Sequence, residues 1–308
     1  MSISLHHPAQ SRRGPLRRLL RDGSTAVSLV LLACLLLACF SASLIGAILD
    51  IDATSIDLFN IAAQPSAAHP LGTDEIGRDL LMRLLDGGQV SLTVGIAAAL
   101  SATAIGTVAG LIAGYRGGIA DAVLMRLADG VISLPLLPLL IVLAAIDPAK
   151  LGLPEELVHS ENFSLYRIIV IIALVGWTTT ARLVRGTVLS LRERDFIEAA
   201  RAQGLPPSRI LFRHLLPNAA SPILVAMTLT VGNVILFESV LSFLGLGIQP
   251  PIPSWGNMLT GAQDLISLSP MLAIWPGMLI FASVIAFNFL GDGLQDALDP
   301  RTQTRHGQ

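Results

Sequence analysis

Six stretches of the chain are almost free of charged side chains: residues 24–49, 91–115, 131–146, 168–180, 219–246 and 270–290. A helix needs about 20 apolar residues to cross the hydrocarbon core of a bilayer. The fourth stretch is short alone, but its apolar pattern starts near Ser164 and continues past Leu183. The period-2 alternation of barrel strands is absent, and lipid cannot satisfy the backbone groups of an open sheet or loop. The pattern therefore predicts an all-α, polytopic membrane bundle of six transmembrane helices. It divides the chain into a basic N-terminus (1–23), a first span (24–49), a polar segment (50–90), a five-helix core (91–290) holding a charged loop (182–218), and a C-terminus (291–308).

Composition agrees. Of 308 residues, 53% are hydrophobic and 14% charged, against about a quarter charged in soluble domains. The net charge of −2 gives no field for nucleic acid. Placement of the basic residues says more than their sum. With the N-terminus inside, the inner segments hold Arg12, Arg13, Arg17, Arg18 and Arg21, then Arg116 and Arg126, the seven arginines from Arg182 to Arg213, and Arg301 and Arg305. The outer segments hold only Arg78, Arg83, Lys150 and Arg167. Lys and Arg collect on the cytoplasmic side, so both termini are expected there. Arg12 and Arg13 before an apolar run also fit a secretory signal, but a signal core is about 7–15 residues and this run is longer. Cys34 and Cys39 fall on different faces of one helix, which argues against a disulfide between them.

The polar segment 50–90 is acidic. Within it, Thr73 is placed to cap a helix, with Asp74 and Glu75 at the positive end of its dipole. Ile76, Leu80 and Leu84 recur every four residues, and Gly87 and Gly88 mark an end. An amphipathic helix is expected, lying either on the membrane surface or on the protein's own outer face. In the second span, Gly106, Gly110 and Gly114 form two GxxxG steps that admit a close helix, from this chain or from another subunit. Pro135, Pro138 and Pro276 should kink their spans.

The loop 182–218 contains RERDFIEAARAQGLPPSRILFRHLLPN. Asp195 and Glu198 have the spacing of a capping box, so a helix of about two turns is expected from Phe196. Gly204 supplies a left-handed stop, Pro206 and Pro207 prevent continuation, and a second helix is expected over 208–216. Ala199 and Ala200 would let a partner approach, and Phe196 and Ile197 would offer apolar anchors. The alternative is a solvated connector held by its caps.

This loop resembles the EAA loop of permease subunits in ATP-binding-cassette importers. Glu198, Ala199, Ala200, Gly204, Leu216 and Pro217 match that motif at its spacing. His214 stands where an aliphatic residue is usual, with Leu215 beside it. HPLGTDEIGRDLL from His69, ESVLSFLGLGIQPPIPSWGNML from Glu238 and GDGLQDALDPR from Gly291 are similar to the dipeptide, oligopeptide and nickel branch, on its second-permease side. The resemblance covers about residues 69–301. It implies the type I importer permease fold and no cofactor in this chain, with ATP hydrolysed by separate cytoplasmic ATP-binding subunits that grip the loop. It further implies a second homologous permease chain, a periplasmic or lipid-anchored substrate-binding protein, and lipid around the bundle. The cargo stays open among peptides, glutathione-like compounds, opines and metal chelates.

The residues bear on the energy source as well. There is no GxxxxGK[ST] phosphate loop, and the only lysine is Lys150, so the chain is not the ATPase. The six histidines are scattered and suggest no metal site. An ion-gradient-driven secondary transporter is the alternative, but such proteins carry several intramembrane ionisable groups and broken helices. Here Glu238 is the one acid within a span. A structural or gating role is expected for it, bonded to Asn233 or to a partner chain, with substrate contact as the other possibility.

Overall fold

The computed structural model describes residues 22–152, 154–160 and 162–298. The arginines at 12–21, 301 and 305 lie outside these. Among the described residues the regular structure is helical, apart from one isolated bridge between Thr73 and Asp79. The first apolar run forms α1 (Gly23–Phe40) and α2 (Ala42–Leu49), interrupted at Ser41. Asp22 caps α1 by accepting the Thr25 N–H at 3.1 Å, and Asp50 ends α2 in a left-handed conformation, φ 56°.

The axis of the bundle is α3 (Leu80–Arg116), 37 residues and so roughly 55 Å long. It touches α1, α7 (Phe163–Leu191) and α10 (Leu216–Phe243). The glycine spacing in α3 serves contact within the chain. A Cβ on Gly106 would stand 2.4 Å from the Trp177 carbonyl oxygen, and one on Gly110 2.6 Å from that of Ala181. On Gly114 it would be 2.7 Å from the Val188 Cβ. Only glycine allows α3 and α7 to run this close.

Three expectations need correction. The helix expected after Thr73 does not form there. Asp79 caps α3 instead, accepting the Met82 N–H at 2.9 Å, and the helix runs through Gly87 and Gly88 without a break. Residues 50–79 make a knot above it. Asp74 accepts the N–H groups of Ile76 (3.0 Å) and Arg78 (2.8 Å) and pairs with Arg78 Nε (2.7 Å) and Arg83 Nε (3.1 Å). The glycines are contact points: a Cβ on Gly88 would lie 2.3 Å from Cys39 Sγ.

The third span is not one kinked helix over 131–146. It is a pair, α4 (Gly118–Ile132) and α5 (Leu136–Ala145), bent by 90° at residues 133–135. Pro135 supplies the extended residue at the break, and Pro138 sits in the first turn of α5, where no N–H is needed. Ten residues span only about 15 Å, so α5 cannot cross alone. Among the described residues, five helices are long and apolar enough to cross, and the bent pair taken together makes the sixth. The short α6 (Glu155–Val158) precedes α7.

Third, the helix expected over 208–216 is not separate. From α9 (Pro207–Ile210) the chain passes through a π turn (Leu211–Leu215) directly into α10. After α10 a loop with Gly245 at φ 73° returns through α11 (Trp255–Ala262) to α12 (Met271–Leu298).

Candidate functional site

The charged loop folds into α8 (Asp195–Ala202), and two of its features differ from expectation. The N-cap is Arg194, with no side-chain capping bond; Asp195 and Glu198 stand in the first turn, beside the helix's positive end. The C-terminal end is as the glycine suggested. Gly204 has φ 73°, its N–H reaches the Arg201 carbonyl at 2.9 Å, and the Leu205 N–H reaches that of Ala200 at 3.2 Å. That pair of bonds is the Schellman stop.

α8 is two-faced. Ile197 and Ala200 are buried with Ile210, Leu215, Val184, Val188 and Leu111. Neither is available to a partner, contrary to the expectation for Ile197 as an anchor and Ala200 as a contact. Phe196, Glu198, Ala199, Ala202 and Gly204 face outward. Leu215 rather than His214 enters the core, as its position beside the unusual histidine suggested. Leu216 is half-buried, and Pro217 is exposed at the start of α10. Polar ties hold the knuckle, and the end of α7 that leads into it, to α3 and α4. Arg201 lies 5.4 Å from the centroid of Tyr115, Arg192 donates to the Gly114 carbonyl at 3.1 Å, and Arg185 Nη2 meets Asp121 at 2.6 Å. Arg182 also pairs with Asp129. These arginines therefore share one end of the bundle with Tyr115 and α4.

Glu238 sits at the other end and is fully buried. Serines surround it: Ser242 Oγ donates at 2.7 Å and Ser91 Oγ at 3.1 Å. The expected bond to Asn233 is not made. The serines also accept, Ser91 from the Trp255 N–H at 3.2 Å and Ser242 from the Ile248 N–H at 3.0 Å. Trp255 Nε1 donates to the Leu84 carbonyl at 2.9 Å, and Asn257 completes a capping box with Ser254. Glu238 thus holds the 244–262 return against the start of α3. Sequence reasoning missed Ser91, Ser242, Trp255 and Asn257. The last three lie inside the quoted stretch from Glu238, but a lone serine at the head of an apolar run carries no signal.

Asn233 is exposed and lines a cavity of about 700 Å³ between α7, α10 and α12, with Thr179, Thr180, Ser221, Thr230 and Gln295. Among the described residues no group of histidine, cysteine and acidic side chains is arranged to hold a metal.

Residues 106–304 match the family described as binding-protein-dependent transport system inner membrane component. The chain is 42% identical over 230 residues to the dipeptide transport system permease protein DppC of Alkalihalophilus pseudofirmus, covering 75% of this chain and 71% of that one. It is 41% identical to the glutathione transport system permease protein GsiD of Pectobacterium atrosepticum (74% and 71% covered). With the oligopeptide transport system permease protein OppC of Bacillus subtilis the identity is 38% (74% and 70%).

Proposed function

The chain belongs to the family of binding-protein-dependent transport inner-membrane components, as a permease subunit of an ATP-binding-cassette importer, and on that premise we propose that its cargo is a di- or oligopeptide and that the α8 knuckle is where the ATPase subunits grip it. The relatives named for dipeptides, oligopeptides and glutathione support a peptide cargo. A family of this kind works with ATPases, a binding protein and a second permease. The ion-gradient alternative has no support among these relatives.

One observation carries the docking reading. α8 presents Glu198 and Ala199 outward while Ile197 and Ala200 on its inner face are packed into the bundle. A push on the outer face is therefore transmitted to α3 and α7 rather than absorbed by a loose loop. Gly204 sets the exit angle, and Leu216 and Pro217 join the knuckle to α10. The arginine-rich end is assigned to the cytoplasm by the positive-inside rule, in a bacterial inner membrane with both termini on that side. Glu238 acts as a structural lock with a gating role, and Asn233 belongs to the path.

The test is reconstitution with a second permease, the ATPase subunits and the binding protein of the same importer. Glu198→Arg should insert normally, fail to co-purify with the ATPase and lose uptake of labelled trialanine. Wild-type uptake by that variant sinks the docking reading.

A further inference from the structure

The cavity between α7, α10 and α12 has a wall of uncharged polar groups. Thr179, Thr180, Ser221, Thr230, Asn233 and Gln295 contribute hydroxyls and amides, and the rest of the lining is apolar, Val225 and Leu229 among it. No charged side chain lines it. It lies in the half of the bundle nearest the knuckle: Ser221 is one turn beyond Pro217, and Gln295 is in the last turn of α12. From Ser221 to Asn233 it extends roughly 18 Å along α10.

Thr230 Oγ1 donates to the Ala226 carbonyl at 2.7 Å and keeps only acceptor capacity for the cavity. The amides of Asn233 and Gln295 make no hydrogen bond among the described residues. Both side chains are exposed to the cavity, so their amides are open to water or to a polar ligand that enters it. The volume is that of a small-molecule site, about 300–1,000 Å³.

We infer that this cavity is a binding site for the peptide backbone on the exit side of the path. Asn233 and Gln295 each offer a donor and an acceptor, which is the complement of a peptide unit. The hydroxyls add further contacts. A wall without charge binds the backbone without selecting among acidic, basic and neutral side chains, which rest against Val225 and Leu229. The inference depends on the importer reading above.

The experiment compares uptake of Ala-Lys-Ala and Ala-Glu-Ala by the reconstituted complex at saturating binding protein. Selection by the binding protein cancels when the ratio of rates is compared between wild type and variant. Asn233→Asp places a carboxylate in the wall and should shift that ratio at least fivefold toward the lysine peptide. Gln295→Glu, at the mouth, should shift it the same way and serves where Asn233→Asp does not assemble. An assembled variant with the wild-type ratio overturns the inference. A wild-type complex that moves neither peptide is a different result: it removes the peptide-importer reading itself.

Discussion

The Ser91 hydroxyl donates to Glu238 across 147 positions of sequence, and the bond ties the head of α3 to the far end of α10. Ser91 and Ser242 each donate to the carboxylate and accept a backbone N–H from the return loop, so the acid is the hub of a fully satisfied buried network.

Replacing Glu238 by leucine leaves both hydroxyl donors without their acceptor, at about 1–3 kcal/mol for each buried group. Glutamine keeps the shape and one acceptor oxygen. The melting temperature in detergent should fall in the order wild type, Glu238→Gln, Glu238→Leu, while membrane insertion is unchanged. ATP hydrolysed per peptide moved should rise in Glu238→Gln. Equal melting temperatures for all three would remove the lock.

The close approach of α3 to α7 gives a second prediction. Gly110→Leu must push the helices apart, because even its Cβ would sit 2.6 Å from the Ala181 carbonyl oxygen. Overpacking of this kind costs about 1–3 kcal/mol or more. Gly186→Ala, on α7 with nothing within 4 Å of its Cβ, should be neutral or slightly stabilising, since alanine is the better helix former. Thermal unfolding of the two variants should separate cleanly.

Residues 106, 110 and 114 show what a single chain discloses. Their spacing was visible, and so were the apolar runs, because helix length against a bilayer is a local quantity. Gly87 and Gly88 have the same composition signal as a helix end, yet Gly87 admits Ser254 and Met258 and Gly88 admits Cys39 and Trp255, all distant in sequence. The charges Asp121, Arg126 and Asp129 hid α4 as part of a span. Two of them are balanced by Arg185 and Arg182 of α7, a compensation that no window of sequence contains. The two faces of α8 were missed for the same reason, since the partners of Ile197 lie on α3, α7 and α9.

The knot over α3 rests on Asp74, which is buried and bridges two guanidinium groups. Arg83 is itself buried. Asp74→Asn removes the charge that both arginines face, and breaking a buried pair costs about 3–5 kcal/mol. The variant should unfold at a clearly lower temperature, and protease should cut residues 50–79 first. Glu75→Gln, at a half-exposed pair, should change little.

Gly204 tests the knuckle by backbone alone. Nothing lies within 4 Å of a Cβ built there, so a side chain meets no neighbour and only φ 73° opposes it. Asparagine tolerates that region; β-branched valine does not. Uptake should decline from glycine to asparagine to valine, with ATPase co-purification following the same order. If valine transports as well as glycine, the exit angle of the knuckle does not matter to coupling.

Sidedness is the claim on which the docking reading stands, and two exposed positions separate the alternatives. Ala202 lies on the outward face of α8, and Phe59 is almost fully exposed in the knot at the opposite end of the bundle. With Cys34 and Cys39 replaced by alanine, Ala202→Cys and Phe59→Cys each carry a single thiol. A membrane-impermeant maleimide added to intact spheroplasts should label position 59 and spare position 202, and inside-out vesicles should reverse the result. Because the arginines around Arg192 are tied to the same end as α8, the two labels report on the whole charge asymmetry. Labelling of position 202 from outside would put the arginine cluster on the wrong side of the bilayer, where no ATPase can reach it.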